Sequence, residues 1–181
     1  RPFFLYLSHH SVHIPLQATP DLIEKYEAKI QPNDPQNNAT YAGMVESVDR
    51  SVDRVMDTLD NLGLERNTVF VFFSDNGGLS VKEGPNTPAT SNFPLRAGKG
   101  YLYEGGIREP LIVRWPGMIQ AGSECAVPVS SVDFFPTFLE IAGLAAESKE
   151  EIDGESLVPL LKQTGELKRD AIFWHYPHYS N

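Results

Sequence analysis

The chain reads as an α/β fold with a mostly parallel sheet, and three observations lead there. Two short apolar runs, one of aromatics and leucines over Phe3 to Ser8 and one β-branched and aromatic over Thr68 to Phe73, flank one long stretch with helical apolar spacing. That is the strand, helix, strand order of a right-handed parallel crossover. Each run ends in polar residues, and in open α/β sheets the carboxyl ends of the strands face the crevice where ligands bind. At 181 residues and 41% hydrophobic, the chain is long enough for one domain with a sizeable core.

Taken in order, Phe3 to Ser8 is predicted to be a buried strand, with His9, His10 and His13 at its carboxyl end and Pro15 stopping any continuation. A loop containing Pro32 and Pro35 leads to a helix in which Tyr41, Met44, Val45, Val48, Val52, Val55, Met56, Leu59 and Leu62 recur at helical spacing. Gly63 is placed to cap its C-terminus, and Glu46 and Arg50 form a solvated pair on its outer face. Thr68 to Phe73 is predicted to be a fully buried strand. From Leu79 to Glu109 the chain is loop-like, rich in Gly, Pro, Asn and Ser, and too long for idle connection in a compact domain. Leu111 to Trp115 resumes as a strand, turned by Pro116-Gly117. Ser131 is predicted to cap a helix through Asp133, Phe134, Phe138, Leu139 and Ile141, closed by Gly143. Leu157 to Lys162 reads as a short helix and Ala171 to Trp174 as a last strand.

A formal net charge of −9 argues against a nucleic-acid partner and against anionic membrane surfaces. An anionic substrate would need a local cation to receive it. The one cysteine, Cys125, excludes an internal disulfide framework and is expected to be a small buried hydrophobe. No signal peptide and no run long enough to span a membrane is present. The opening residues already read as core strand and the last residues are rich in aromatics and histidine, so the chain is expected to be a fragment.

Two motifs carry chemistry. In Ser74-Asp75-Asn76-Gly77-Gly78, Asp75 and Asn76 offer a charged and a neutral oxygen donor, a pairing that suits Ca²⁺ or Mg²⁺ better than zinc. On its own, the tetrapeptide Asp75-Asn76-Gly77-Gly78 reads first as a strand-terminating turn. The long loop contains Gly98-Lys99-Gly100, where a lysine between glycines can approach an oxyanion, although the spacing is neither a Walker A loop nor a dinucleotide fingerprint. Asn38-Ala39-Thr40 is a glycosylation sequon by pattern only.

Together these segments resemble the sulfatase family of the alkaline-phosphatase superfamily. The match lies in Pro2 to Leu7 running to Val12-His13, in Ser74 to Gly78, in Arg96 to Pro110 with its Gly-Lys and Glu-Gly-Gly-Ile-Arg core, and in Ser131 to Thr137. The resemblance implies an alkaline-phosphatase-like α/β/α sandwich, with residues 1–181 forming part of the catalytic domain. It implies that Asp75 and Asn76 ligate a divalent cation, Ca²⁺ or alternatively Mg²⁺. It further implies that His13 binds sulfate and protonates the leaving alcohol, and that Lys99 contacts sulfate. His175 and His178 are candidates for lining the substrate pocket or equally for core packing, while His9 and His10 are expected to be structural or to support the site residues rather than to act on substrate. Glu104 and Arg108 are expected to brace the loop as an ion pair.

The family's nucleophile, a formylglycine made from Cys or Ser in C/S-x-P-x-R, has no counterpart here. Cys125-Ala126-Val127-Pro128 has the wrong spacing, and Asn92-Phe93-Pro94-Leu95-Arg96 carries asparagine at the nucleophile position. The formylglycine segment and two acidic metal ligands are expected upstream of Arg1, and a C-terminal subdomain beyond Asn181. The chain alone is therefore expected to lack turnover and to bind Ca²⁺ weakly. The implied activity of the parent is hydrolysis of sulfate monoesters of carbohydrates or aryl alcohols, with a sulfated small molecule or glycan as partner. A phosphatase or phosphonate hydrolase of the same superfamily, or a non-catalytic module on the same scaffold, stays open. Family habit places such proteins in the periplasm, outside the cell or in lysosomes.

Overall fold

The computed structural model describes residues 1–144 and 152–178. Helix α1 spans Pro20–Glu27, α2 Ala39–Asn61, α3 Glu104–Ile107, α4 Phe134–Ile141 and α5 Val158–Leu161; strand β1 spans Phe70–Phe73 and β2 Leu111–Arg114. Single 3₁₀ turns at Glu65–Asn67 and Ser131–Asp133 precede β1 and α4. The chain divides into two compact units, the first made of Arg1–Gly63, Asn76–Pro110 and Tyr176–Asn181, the second of Leu64–Asp75 and Leu111–His175.

In the first unit α1 packs along α2. Pro20 opens α1, where a missing N–H costs nothing. Asn38 caps α2, its Oδ1 accepting the Tyr41 N–H at 2.9 Å, and Gly63 leaves the helix at φ +64°. The buried stripe is narrower than the apolar periodicity: Met44 and Leu59 are buried, Val45 is exposed. Gly43 lets the helices close, since a Cβ there would stand 3.1 Å from the Cβ of Leu22 in α1 and 2.8 Å from that of Ala18 just before it. Met44 joins Leu16, Leu79 and Ala89 in a core flanked by Val12, Ile14, Tyr41 and Val81.

In the second unit β1 and β2 pair antiparallel, Phe70 opposite Arg114 and Phe73 opposite Leu111. The Phe73 ring meets Phe134 edge-on at 5.0 Å, and Phe134 stacks on Phe138. α5 is tied to α4 through Thr137, whose buried hydroxyl accepts the Leu157 N–H at 2.8 Å.

Several local expectations are corrected. Phe3 to Ser8 is not a strand, and Phe4 and Tyr6 are 73% and 81% exposed. An apolar run becomes a strand only by hydrogen-bonding a neighbour, and among the described residues the one ladder is β1 with β2. The parallel pairing of Phe3 to Ser8 with Thr68 to Phe73 therefore does not form here. β1 starts two residues later than predicted and is half-buried rather than fully buried. Ala171 to Trp174 likewise has no ladder. Cys125 is exposed rather than buried, within a stretch from Gln120 to Pro128 that is exposed at every residue. Ser131 starts the 3₁₀ turn instead of capping α4; the Asp133 carboxylate receives the Ser130 backbone N–H at 2.7 Å.

Candidate active site

His13 and Lys99 lie 86 residues apart in sequence, yet His13 Nε2 and Lys99 Nζ stand 2.7 Å apart in the first unit. The chain turns over Ser11 to Pro15, a turn closed by the His13 N–H donating to the His10 carbonyl at 2.9 Å, and this presents the imidazole. His13 Nδ1 is 2.8 Å from the Ile14 carbonyl oxygen. A carbonyl can only accept, so Nδ1 carries the hydrogen, and the neutral ring offers its Nε2 lone pair to the Lys99 ammonium. His13 is exposed and Lys99 half-buried.

Lys99 is aimed by backbone. Its N–H donates to the Gly78 carbonyl at 3.2 Å, and the Gly77 N–H donates to Gly106 at 3.2 Å. The Asn76-Gly77-Gly78 turn and the lysine loop are thus laid side by side. Their closeness requires glycine: a Cβ on Gly77 would run into the Gly105 carbonyl, one on Gly98 into the Gly78 carbonyl, and one on Gly106 into the Tyr101 carbonyl. Arg96 lays its guanidinium over the Tyr103 ring at 3.6 Å to the centroid.

Asp75 is exposed and Asn76 half-buried, directly after β1, and the chain passes from the second unit to the first between them. They supply a carboxylate and an amide oxygen, whereas calcium takes about six to eight oxygens. Among the described residues no group of three or more His, Cys, Asp or Glu side chains could hold a metal.

The remaining candidates separate. His9 Nε2 lies 2.9 Å from the Ser51 hydroxyl, on the α2 side. Arg108 pairs with Glu104 at 3.4 Å on the surface of α3. His175 is exposed and belongs to the second unit, while His178 packs against Tyr176 in the first. The amide of Asn38 is committed twice, to capping α2 and to the Asn86 carbonyl at 3.0 Å. A cleft of about 430 Å³ beside it, lined by Glu27, Ile30 and Asn86, contains neither His13 nor Lys99. Sequence reasoning missed Asn92, which hydrogen-bonds across the turn and the lysine loop. In the sequence Asn92 stands out only as the asparagine at the nucleophile position of Asn92-Phe93-Pro94-Leu95-Arg96, which carries no sign of these contacts.

The sequence model of the family described as Sulfatase matches residues 1–144. Over 98% of its length the chain is 39% identical to a protein named sulfatase from Formosa agariphila, covering 33% of it. It is 37% identical to steryl-sulfatase of Rattus norvegicus, covering 97% of the chain and 29% of the relative. It is 35% identical to N-acetylgalactosamine-6-sulfatase of Mus musculus, covering 96% of the chain and 31% of the relative. Among solved structures it is similar to Ps i-CgsB in complex with k-i-k-neocarrahexaose, with a TM-score of 0.77 and 39% identity over 90% of this chain and 34% of that one. It is also similar to BT4656 in complex with D-glucosamine-2-N,6-O-disulfate, with a TM-score of 0.58 and 30% identity over 77% of this chain and 27% of that one. The chain spans about a third of the length of the curated relatives it matches. Its structural neighbours have the alkaline-phosphatase-like α/β fold, and with them the chain belongs to the sulfatase family.

Proposed function

We propose that the full-length protein hydrolyses sulfate monoesters of carbohydrates, and that this chain supplies the sulfate-binding cation, the proton donor and one corner of the metal site. The observation that carries this reading is the 2.7 Å approach of His13 Nε2 to Lys99 Nζ, which lets one sulfate oxygen meet both groups. A glycan substrate is favoured because the neighbour with TM-score 0.77 was solved with k-i-k-neocarrahexaose, and a further neighbour with a disulfated glucosamine.

The Ile14 carbonyl holds Nδ1–H, so Nε2 is the atom at which His13 takes a proton from solvent and hands it to the alkoxide oxygen as the S–O ester bond breaks. Lys99 holds sulfate by charge and neutralises what develops on its oxygens as the ester bond breaks. Asp75 and Asn76 would hold Ca²⁺, and a formylglycine outside this chain would supply the attacking oxygen. When bound, the cation lowers the cost of concentrating negative charge at the sulfur centre.

In the full-length protein, Lys99→Ala should lower kcat/KM for a chromogenic aryl sulfate by about 10²-fold or more while leaving the unfolding midpoint nearly unchanged. Turnover equal to wild type would remove Lys99 from the site. His13→Ala should cost more with a sugar sulfate, a poor leaving group, than with an activated aryl sulfate. An equal loss on both would assign His13 to sulfate binding. Sulfated oligosaccharides should be turned over with higher kcat/KM than a steryl sulfate, and the reverse order would sink the glycan assignment.

A further inference from the structure

We propose that Asn92 is a positioning residue whose carboxamide clamps both backbone groups of Gly78 and thereby sets where Lys99 stands beside His13. The proposal rests on the reading of Lys99 as the sulfate-binding cation. Asn92 Oδ1 accepts the Gly78 N–H at 3.1 Å, while its Nδ2 donates to the Gly78 carbonyl at 2.9 Å and to the Ala97 carbonyl at 3.0 Å. An amide nitrogen cannot accept and an amide oxygen cannot donate, so the three contacts admit one orientation of the group.

The same Gly78 carbonyl also accepts the Lys99 N–H at 3.2 Å. One peptide group therefore carries Asn92 on one lone pair and Lys99 on the other. The second Nδ2 hydrogen fixes Ala97, which holds a left-handed φ of +62° that a non-glycine residue adopts only when its surroundings enforce it. Two glycines make room for the clamp. A Cβ on Gly98 would run into Asn92 Nδ2, and one on Gly78 would lie 3.0 Å from Asn92 Oδ1. Turn, clamp and lysine loop all belong to the first unit.

An acid in place of the amide tests this, because Asn92→Asp keeps the acceptor toward Gly78 N–H and sets a carboxylate against two carbonyl oxygens. In the full-length protein, amide hydrogen exchange over residues 97–101 should quicken about tenfold in Asn92→Asp while α2 exchanges as in wild type. The affinity for inorganic sulfate, read as competitive inhibition of aryl sulfate turnover, should fall about tenfold. In a Lys99→Ala background, Asn92→Asp should change sulfate affinity by less than about twofold, since the group it positions is gone. Unchanged exchange at 97–101, or an equal loss of sulfate affinity with and without Lys99, would overturn the proposal. If the protein turns over no sulfate ester, the sulfatase reading fails alone, and the exchange measurement still decides the clamp. Should Asn92→Asp not fold, Asn92→Ser, which keeps one short hydroxyl, is judged by the same measurements.

Discussion

Asp133 is fully buried, and its carboxylate is met by Arg169 through both terminal nitrogens, by the Ser130 N–H at 2.7 Å and by the Glu155 N–H at 2.9 Å. Burial alone would raise its pKa; the guanidinium and the two backbone donors outweigh that and hold it below the usual carboxylate range. Removing the cation leaves a buried charge without its partner, so Arg169→Ala should cost roughly 3 kcal/mol in urea unfolding at pH 7. A loss near zero would mean that backbone donors alone suffice. Because the folded-state value is depressed, the contribution is complete above the ordinary aspartate value of 3.8 and fades as pH falls below it. The pair was invisible in the sequence, where Asp133 reads as a helix-start residue and Arg169 stands 36 positions away in an unpatterned stretch.

Between α1 and α2, Glu46 accepts from Lys25 at 2.6 Å and from Arg50 at 2.7 Å. Lys25 first, then the Tyr26 hydroxyl and Arg50, draw its pKa from the usual 4.5 down to about 2. Its stabilisation is present above pH 4.5 and is lost as pH falls toward 2. The unfolding-midpoint difference between wild type and Glu46→Gln should hold steady from neutral pH to about 5 and close between about 4.5 and 2. A difference that persists at pH 2 would place the effect elsewhere. The Glu46–Arg50 half of this network was legible, since residues four apart on a helix must meet; Lys25 was not, since it reaches Glu46 only through the packing of α1 on α2. Helix α2 was read well for the same reason, since it carries its own hydrogen bonds, cap and stop; α1, over Pro20–Glu27, was not predicted, and α3 fell inside the predicted loop. Strands depend on partners elsewhere in the chain, and Phe3 to Ser8 and Ala171 to Trp174 failed on that dependence.

For the whole molecule, the family resemblance brought out His13 and Lys99 together, and the structure joins them at 2.7 Å through a turn and a loop whose sequences do not state their pairing. The proposed metal corner can be tested apart from turnover. Calcium should raise the unfolding midpoint of the full-length protein, by a free energy of about 2.7 kcal/mol at a hundredfold excess over its Kd. EGTA should reverse the rise, and Asp75→Ala should abolish most of it. An undiminished calcium response in Asp75→Ala would exclude that carboxylate as a ligand.

The glycines at 77, 98 and 106 hold one more consequence, for mutational tolerance. Surface loops ordinarily accept substitution freely, but here neighbouring carbonyls occupy the space that a first side-chain carbon would need. A saturation scan across the Asn76-Gly77-Gly78 turn, the lysine loop and α3 should therefore look like that of a protein interior at these three positions. Alanine, the mildest replacement elsewhere, should be rejected there almost as firmly as tryptophan.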